Sequence, residues 1–258
     1  MSSPRGFMLG ATLLLWHLPG ASLERIEGVA LRLPEQIEVY REHHTSDVHS
    51  QHIEYRTPDG RLIAEQSLDY ACSQAAPTFE QRDLRHGTRL GARWDKGVYL
   101  LMRDGKSRAL PQPDSLVASS GFNRFVQAEW EVLHDGRPIE FDFALPARLQ
   151  TFRLRIQRTE KSGTQAQANV WFRITAAQAW LRPFVAPIVL GYDEYRRLRI
   201  YRGLSNLEDS DGSTLNVEIS YRYEASPPAT PKGALAGNEP ITAGQRKPDS
   251  VACGERRS

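Results

Sequence analysis

Four of the chain's seven histidines fall between residues 43 and 52: His43, His44, His49 and His52, with Asp47 among them. Imidazole nitrogens and a carboxylate are the ligands that zinc and copper take. A histidine beside an acid is also the equipment of a hydrolase. On one unbroken strand His43 and His49 share a face, and His44 and His52 share the other. A turn at Ser46-Asp47 would set His43 or His44 opposite His49 or His52. The plainer alternative, which we favour, is a polar hairpin with solvated histidines. No CxxC and no Cys/His zinc spacing accompanies the cluster.

Three further patterns have chemical potential. Glu208-Asp209-Ser210-Asp211-Gly212 looks like a calcium loop. The register that puts Gly212 at position six, however, puts Leu207 at position one, where a carboxylate is required. We read it as a turn. Arg153, Arg155, Arg173, Arg197, Arg199 and Arg222 fall on the wet side of strand-like runs and could hold phosphate, anionic headgroups or acidic sugars. Glu140, Asp142 and Glu218 fall on the same side and could pair with them across strands. There is no GxSxG elbow, HExxH, Walker loop or GxGxxG after a strand. That lowers the case for an enzyme, and no catalytic residue, metal ligand or cofactor is assigned.

The largest concentration of aromatic surface lies in Gly121 to Gly136. Phe122, Phe125, Val126, Trp130 and Leu133 recur at spacings of three and four and form one stripe of a helix. Ser119 and Ser120 offer an N-cap. Gly136 suits the left-handed residue that ends a helix, and Pro138 prevents its resumption. The spacing predicts one helix over residues 121–135. Each large side chain on its stripe gains roughly 1.5–3 kcal/mol on burial, so the helix must dock. Either the stripe is plain core, or Phe122, Phe125 and Trp130 line a site for an apolar, lipid-like ligand.

What must position these residues is sheet. Ile139, Phe141, Phe143 and Leu145 alternate with Glu140, Asp142 and Ala144. The same two-residue period runs through Phe152-Leu154-Ile156, Val170-Phe172-Ile174 and Leu215-Val217-Ile219-Tyr221-Tyr223. One face is buried and the other wet, the antiparallel pattern. Shorter strands are expected between Gln36 and Thr57, over Leu62–Tyr70, and within Phe79–Arg103. Asp-Gly pairs begin at Asp59, Asp104, Asp135 and Asp211, and all but the third sit between strand runs as hairpin turns would. A second, short helix is expected at Ala176–Phe184. The fold class is therefore mainly β: a curved antiparallel sheet or half-barrel packed around one principal helix.

The ends read differently from the body. Residues 1–22 have the build of a secretory signal peptide: Arg5, an apolar run from Phe7 to Leu18, then small residues to Ser22. That run is shorter than the roughly 20 residues that span a bilayer, and no second one follows. Residues 225–258 are rich in Pro, Gly and Ala with no hydrophobic period, as in a disordered tail. The chain of 258 residues thus holds one antiparallel domain at 23–224. Its formal charge of +2 belongs to the ends. The leader carries +1 and the tail +2, leaving −1 on the body, so a nucleic-acid partner is not expected. An exported protein can oxidise its cysteines. Cys72 then either bridges to Cys253 or remains a lone buried thiol.

The run PIVLGYDEYRRLRIYRGLSNLEDSDGSTLNVEISY, Pro187 to Tyr221, resembles the C-terminal part of uncharacterised exported β-proteins of Gram-negative bacteria. A YD…RRL…Y.G.SN strand pair there precedes a DG turn and an alternating last strand. FEQRDLRHG, Phe79 to Gly87, and the helix resemble the same group. At the level of fold the chain is also similar to periplasmic lipoprotein carriers, half-open barrels that wrap helices and hold acyl chains. The resemblance implies no activity. The expectation is an exported protein, periplasmic or secreted. It would be a binding or structural module of the cell envelope, with a lipid or other apolar molecule, or an envelope protein, as its partner. The alternative is a metal-binding protein or hydrolase using the His43–His52 cluster.

Overall fold

The structure, a computed structural model, describes residues 23–111, 115–160, 167–180 and 186–224. The expected signal peptide, the tail with Cys253, and the last residues of the expected second helix lie outside the described residues. Eight strands come first: β1 (Glu24–Arg32), β2 (Ile37–Ser46), β3 (Ser50–Arg56), β4 (Leu62–Asp69), β5 (Thr78–Asp83), β6 (Thr88–Asp95), β7 (Val98–Arg103) and β8 (Lys106–Ala109). A short β9 (Leu116–Ala118) leads into α1 (Gly121–Ala128) and α2 (Trp130–His134). Then follow β10 (Ile139–Leu145), β11 (Gln150–Thr159), β12 (Val170–Ala176), β13 (Ile188–Tyr192), β14 (Leu198–Glu208) and β15 (Thr214–Tyr223).

All fifteen strands form one open, curved sheet in the order β8-β7-β6-β5-β4-β3-β2-β1-β15-β14-β13-β12-β11-β10-β9. Each half of the chain is a meander, and the first and last strands join the halves at the centre, from Ile26↔Tyr223 to Arg32↔Val217. Every pairing is antiparallel except β9 with β10, which is parallel. The alternation sets the register: Phe141 faces Leu154 and Phe143 faces Phe152, while Asp142 meets Arg153 on the other side. Asp59-Gly60, Asp104-Gly105 and Asp211-Gly212 lie in the β3–β4, β7–β8 and β14–β15 turns.

One local expectation is corrected and another is met only in part. The helix over 121–135 is two pieces, because Glu129 leaves helical geometry at φ −94°, ψ 14°. Ser120 precedes α1 without a side-chain cap, and Gly136, at φ +83°, takes the left-handed residue beyond α2. The short helix expected at 176–184 is met only in part: Ala176 is still the last residue of β12, Ala179 and Trp180 take 3-10 geometry, and residues 181–184 lie outside the described residues.

The sheet encloses two cores. One lies under β1–β7 and includes Tyr40, Ile53, Tyr55, Phe79 and Leu101; it is completed by Leu207 and Leu215 from the β14–β15 hairpin. The other lies under β10–β14 and is filled by α1 and α2. Tyr201 and Tyr221 pack against both. The β14–β15 hairpin also crosses to strands far from it in the sheet. Asn206 Nδ2 donates to Tyr55 Oη at 2.8 Å and to Gln81 Oε1 at 3.0 Å, and Arg85 donates to the Glu208 carbonyl at 2.9 Å. A minor cluster sits on the outer face, where Trp171, out of phase with the Val170-Phe172-Ile174 row, is only 3% exposed and packs with Ala168, Val189 and Ile200.

Candidate functional site

The helix stripe brings its aromatics into a trough of the sheet. Phe125 and Trp130 are buried at 7% and 6% exposure. Phe125 stacks at a tilt on Phe141, 5.0 Å between centroids, and Trp130 meets Phe172 and Tyr192 edge-on at 5.5 Å each. Phe122 is half-buried with its ring 6.2 Å from Tyr201. Leu190, Leu198, Ile156 and Ile174 complete the trough. The three residues are thus gathered on one apolar surface, and the helix occupies it.

Polar ties hold the helices at one rim. Arg124 donates to the carbonyls of Val48 and Asp47 at 3.0 and 3.3 Å and to Gln74, and lies 3.6 Å over the Tyr70 ring. Gln127 donates to the Arg196 carbonyl at 3.1 Å, Arg158 to that of His134, and Tyr192 Oη to Asn123 at 3.1 Å. The start of α1 lies against the β4–β5 loop: Ala118 N–H bonds Ala75 O at 2.9 Å. A side chain at Gly121 would put its Cβ 2.2 Å from Ala75 O, so only glycine fits there.

The histidine cluster divides. His43 faces solvent opposite Glu54, His52 faces solvent opposite Thr45, and His49 is exposed in the turn, whereas His44 points inward. His44 and His52 therefore lie on opposite faces, contrary to the unbroken-strand expectation. The Asp47 turn between β2 and β3 shifts the parity. No group of three His, Cys, Asp or Glu able to hold a metal exists among the described residues.

His44 instead belongs to a buried polar chain that sequence reasoning did not find. His44 Nε2–H donates to Glu42 Oε2 at 2.8 Å, Tyr221 Oη donates to the same oxygen at 3.1 Å, and Gln51 Nε2 donates to His44 Nδ1 at 3.1 Å. Tyr70 Oη in turn donates to Gln51 Oε1 at 2.8 Å. The pairing selects the Nε2–H tautomer of the ring. Glu42 is 4% and His44 9% exposed, so each would be costly to bury unpaired. Burial pushes the phenols of Tyr40, Tyr55, Tyr201 and Tyr221 well up, and the neighbouring Glu42 carboxylate adds to each shift. Tyr70 is pushed up by burial to about 12, against the opposing pull of Arg124. A second buried row runs from Ser119 through Gln66 and Gln81 to Asn206, at 2.9, 3.2 and 3.0 Å. Most of these groups are spent on one another; Gln66 Oε1 is buried without a hydrogen-bond partner among the described residues. Together these groups tie distant strands across the interior.

The arginines on the outer face are partly engaged. Arg153 reaches Asp142 at 2.9 Å and Glu140 at 3.5 Å, Arg202 pairs with Glu218, and Arg197 and Arg199 share Asp193 at 2.9 and 2.8 Å. Burial raises the Asp193 carboxyl, but the Arg197 N–H and the two guanidinium groups hold it below its ordinary value on balance. Glu208 to Gly212 forms the end of β14 and its turn, with Asp209 paired to Arg32. Cys72 is half-buried in the β4–β5 loop and disulfide-bonded, so the lone-thiol reading is overturned.

No family model and no curated protein matches the chain. Among solved structures it is similar to the crystal structure of a beta-barrel-like protein of domain of unknown function DUF1849 from Brucella abortus. The TM-score is 0.51 at 5% identity, over 80% of this chain and 99% of that one. That likeness is one of fold: this chain is a mainly β protein of the beta-barrel-like kind.

Proposed function

We propose that the protein is an exported module of the cell envelope that binds an apolar, lipid-like molecule in the trough under β10–β14. The single observation behind this reading is that the trough is filled by a separate amphipathic helix pair. Phe125 and Trp130 occupy the surface an acyl chain would take. The hydrogen bonds and ion pair that tie α1 and α2 to the turns lie at one rim. Ligand binding then requires the helices to lift, with Phe122, Phe125 and Trp130 contacting the ligand as it replaces them. The Cys72 disulfide supports an oxidising compartment, in keeping with the leader-like residues 1–22.

The test is native mass spectrometry of the mature chain, followed by titration with the neutral probe N-phenyl-1-naphthylamine. Bound lipid mass, or probe fluorescence that rises as Trp130 emission falls, is the expected result. A bare polypeptide mass together with no probe signal would sink the proposal.

A further inference from the structure

A cleft of about 360 Å³ opens where the two margins of the sheet meet, within the size range of small-ligand sites. Two turns wall it. The β7–β8 turn contributes Arg103, Asp104 and Lys106, and the β10–β11 turn contributes Ala147, Arg148 and Leu149. Arg103 spans the seam by donating to the Ala147 carbonyl and lies 3.5 Å from Asp104, so it is partly committed. Lys106 and Arg148 are exposed and take part in no ion pair among the described residues. Three cations against one carboxylate leave the cleft with an excess of positive charge.

The turn that presents Arg148 is strained. Leu149 sits at φ 52°, ψ 39°, the left-handed region a bulky side chain avoids. Its N–H closes the turn on Pro146 O at 2.9 Å, and its side chain packs on the first core. The cleft therefore has cations at its mouth and leucine behind.

We propose that this seam cleft binds an oxyanion of the phosphate class, with Lys106 and Arg148 as the two free cations and Arg103 as the third. Guanidinium and ammonium groups on facing turns can donate to several oxygens of one tetrahedral anion. The source is either free phosphate or the headgroup of an amphiphile. The headgroup version rests on the proposed function; the anion site does not.

The experiment uses the full mature chain with its disulfide intact, wild type and the double variant K106Q/R148Q. Arg103 is left alone because it bridges the seam. Inorganic phosphate is titrated by calorimetry. Vesicles of phosphatidylglycerol and phosphatidylcholine, or of phosphatidylcholine alone, are co-sedimented with each protein. We expect phosphate binding that weakens at least tenfold in the double variant, with an unchanged melting temperature. Added preference for the phosphatidylglycerol vesicles, lost in the variant, assigns the site to headgroups. Phosphate binding without that preference assigns it to the free anion, and both results support the site. No phosphate binding by wild type, or binding that the double variant leaves unchanged, overturns it. The neutral naphthylamine probe reads the trough alone, so failure of the trough and failure of the cleft are told apart.

Discussion

The two halves of the sheet solve the same problem with different chemistry. Under β10–β14 the space is filled by rings and aliphatic chains from α1 and α2, with Trp130 wedged between Phe172 and Tyr192. Under β1–β7 aliphatic residues such as Ile53, Ile63 and Leu101 share the space with buried tyrosines, glutamines and an acid–histidine pair, whose polar atoms mostly bond one another. The first half depends on shape and area. The second depends also on pairing its buried donors and acceptors, because a buried polar group left unpaired costs about 1–3 kcal/mol; Gln66 Oε1 is the one acceptor of the row that finds no partner among the described residues. The helix-filled half should therefore tolerate volume-conserving exchanges and the polar half should not.

The severest challenge to this contrast is alkali. Eight of the nine tyrosines have phenols raised by burial, and most face the polar half or the boundary. Their folded pKa lies above the ordinary value near 10, so the folded protein keeps protons that the unfolded chain releases. Stability is then full below about pH 10 and falls as pH rises above it. Phenolate absorbance and tryptophan fluorescence should change in one cooperative step, because Tyr201 and Tyr221 belong to both cores. Phenolate in excess of the one exposed ring, Tyr195, appearing while the fold persists would disprove this burial.

Trp130→Ala should cost about 3–5 kcal/mol in urea unfolding, while Trp130→Phe should cost clearly less. Equal losses would mean that volume does not govern the helix-filled half. Glu42→Leu strands His44 Nε2–H and Tyr221 Oη, at a cost of about 1–3 kcal/mol. Glu42→Gln keeps an acceptor and should be the milder change, and the reverse order would break the comparison. The smallest effect is expected outside both cores. Arg153→Ala removes a half-exposed pair with Asp142 and should change stability by no more than about 1 kcal/mol.

Much of the sheet was legible because its outward and inward residues differ in kind. β10, β11, β12 and β15 show that alternation in their sequence, but burial follows it only in part: β11 is half-buried over most of its length, and Ala144 and Trp171, on the expected wet side, are buried. β1 was missed because its inward positions include Gly28 and Ala30, small residues that leave no hydrophobic stripe. A Cβ at Gly28 would come within 2.9 Å of the Tyr221 ring, so the smallness is a fit to a residue nearly two hundred positions away. The inward row Tyr40-Glu42-His44-Ser46 failed for the opposite reason: polar residues there look like surface, and their partners arrive from distant strands. The stripe of Phe122, Phe125 and Trp130 was readable from spacing, but nothing in it tells that Glu129 divides the helix. Lys106 and Arg148 carry no local signal, since only the curl of the open sheet, which brings the β7–β8 and β10–β11 turns together, makes them neighbours.

The strand order carries a further consequence. Because β1 and β15 lie side by side at the centre of the sheet, the described body begins and ends at one place, while both free edges, β8 and β9, come from the middle of the chain. A linker joining residues 23 and 224, with new ends opened between β8 and β9, would turn the sheet into one uninterrupted run of neighbouring strands. The central seam, now the most distant pairing in sequence, would become a short-range hairpin. Such a circular permutant should fold faster than the natural order, since low contact order speeds folding, and it should keep the same two cores.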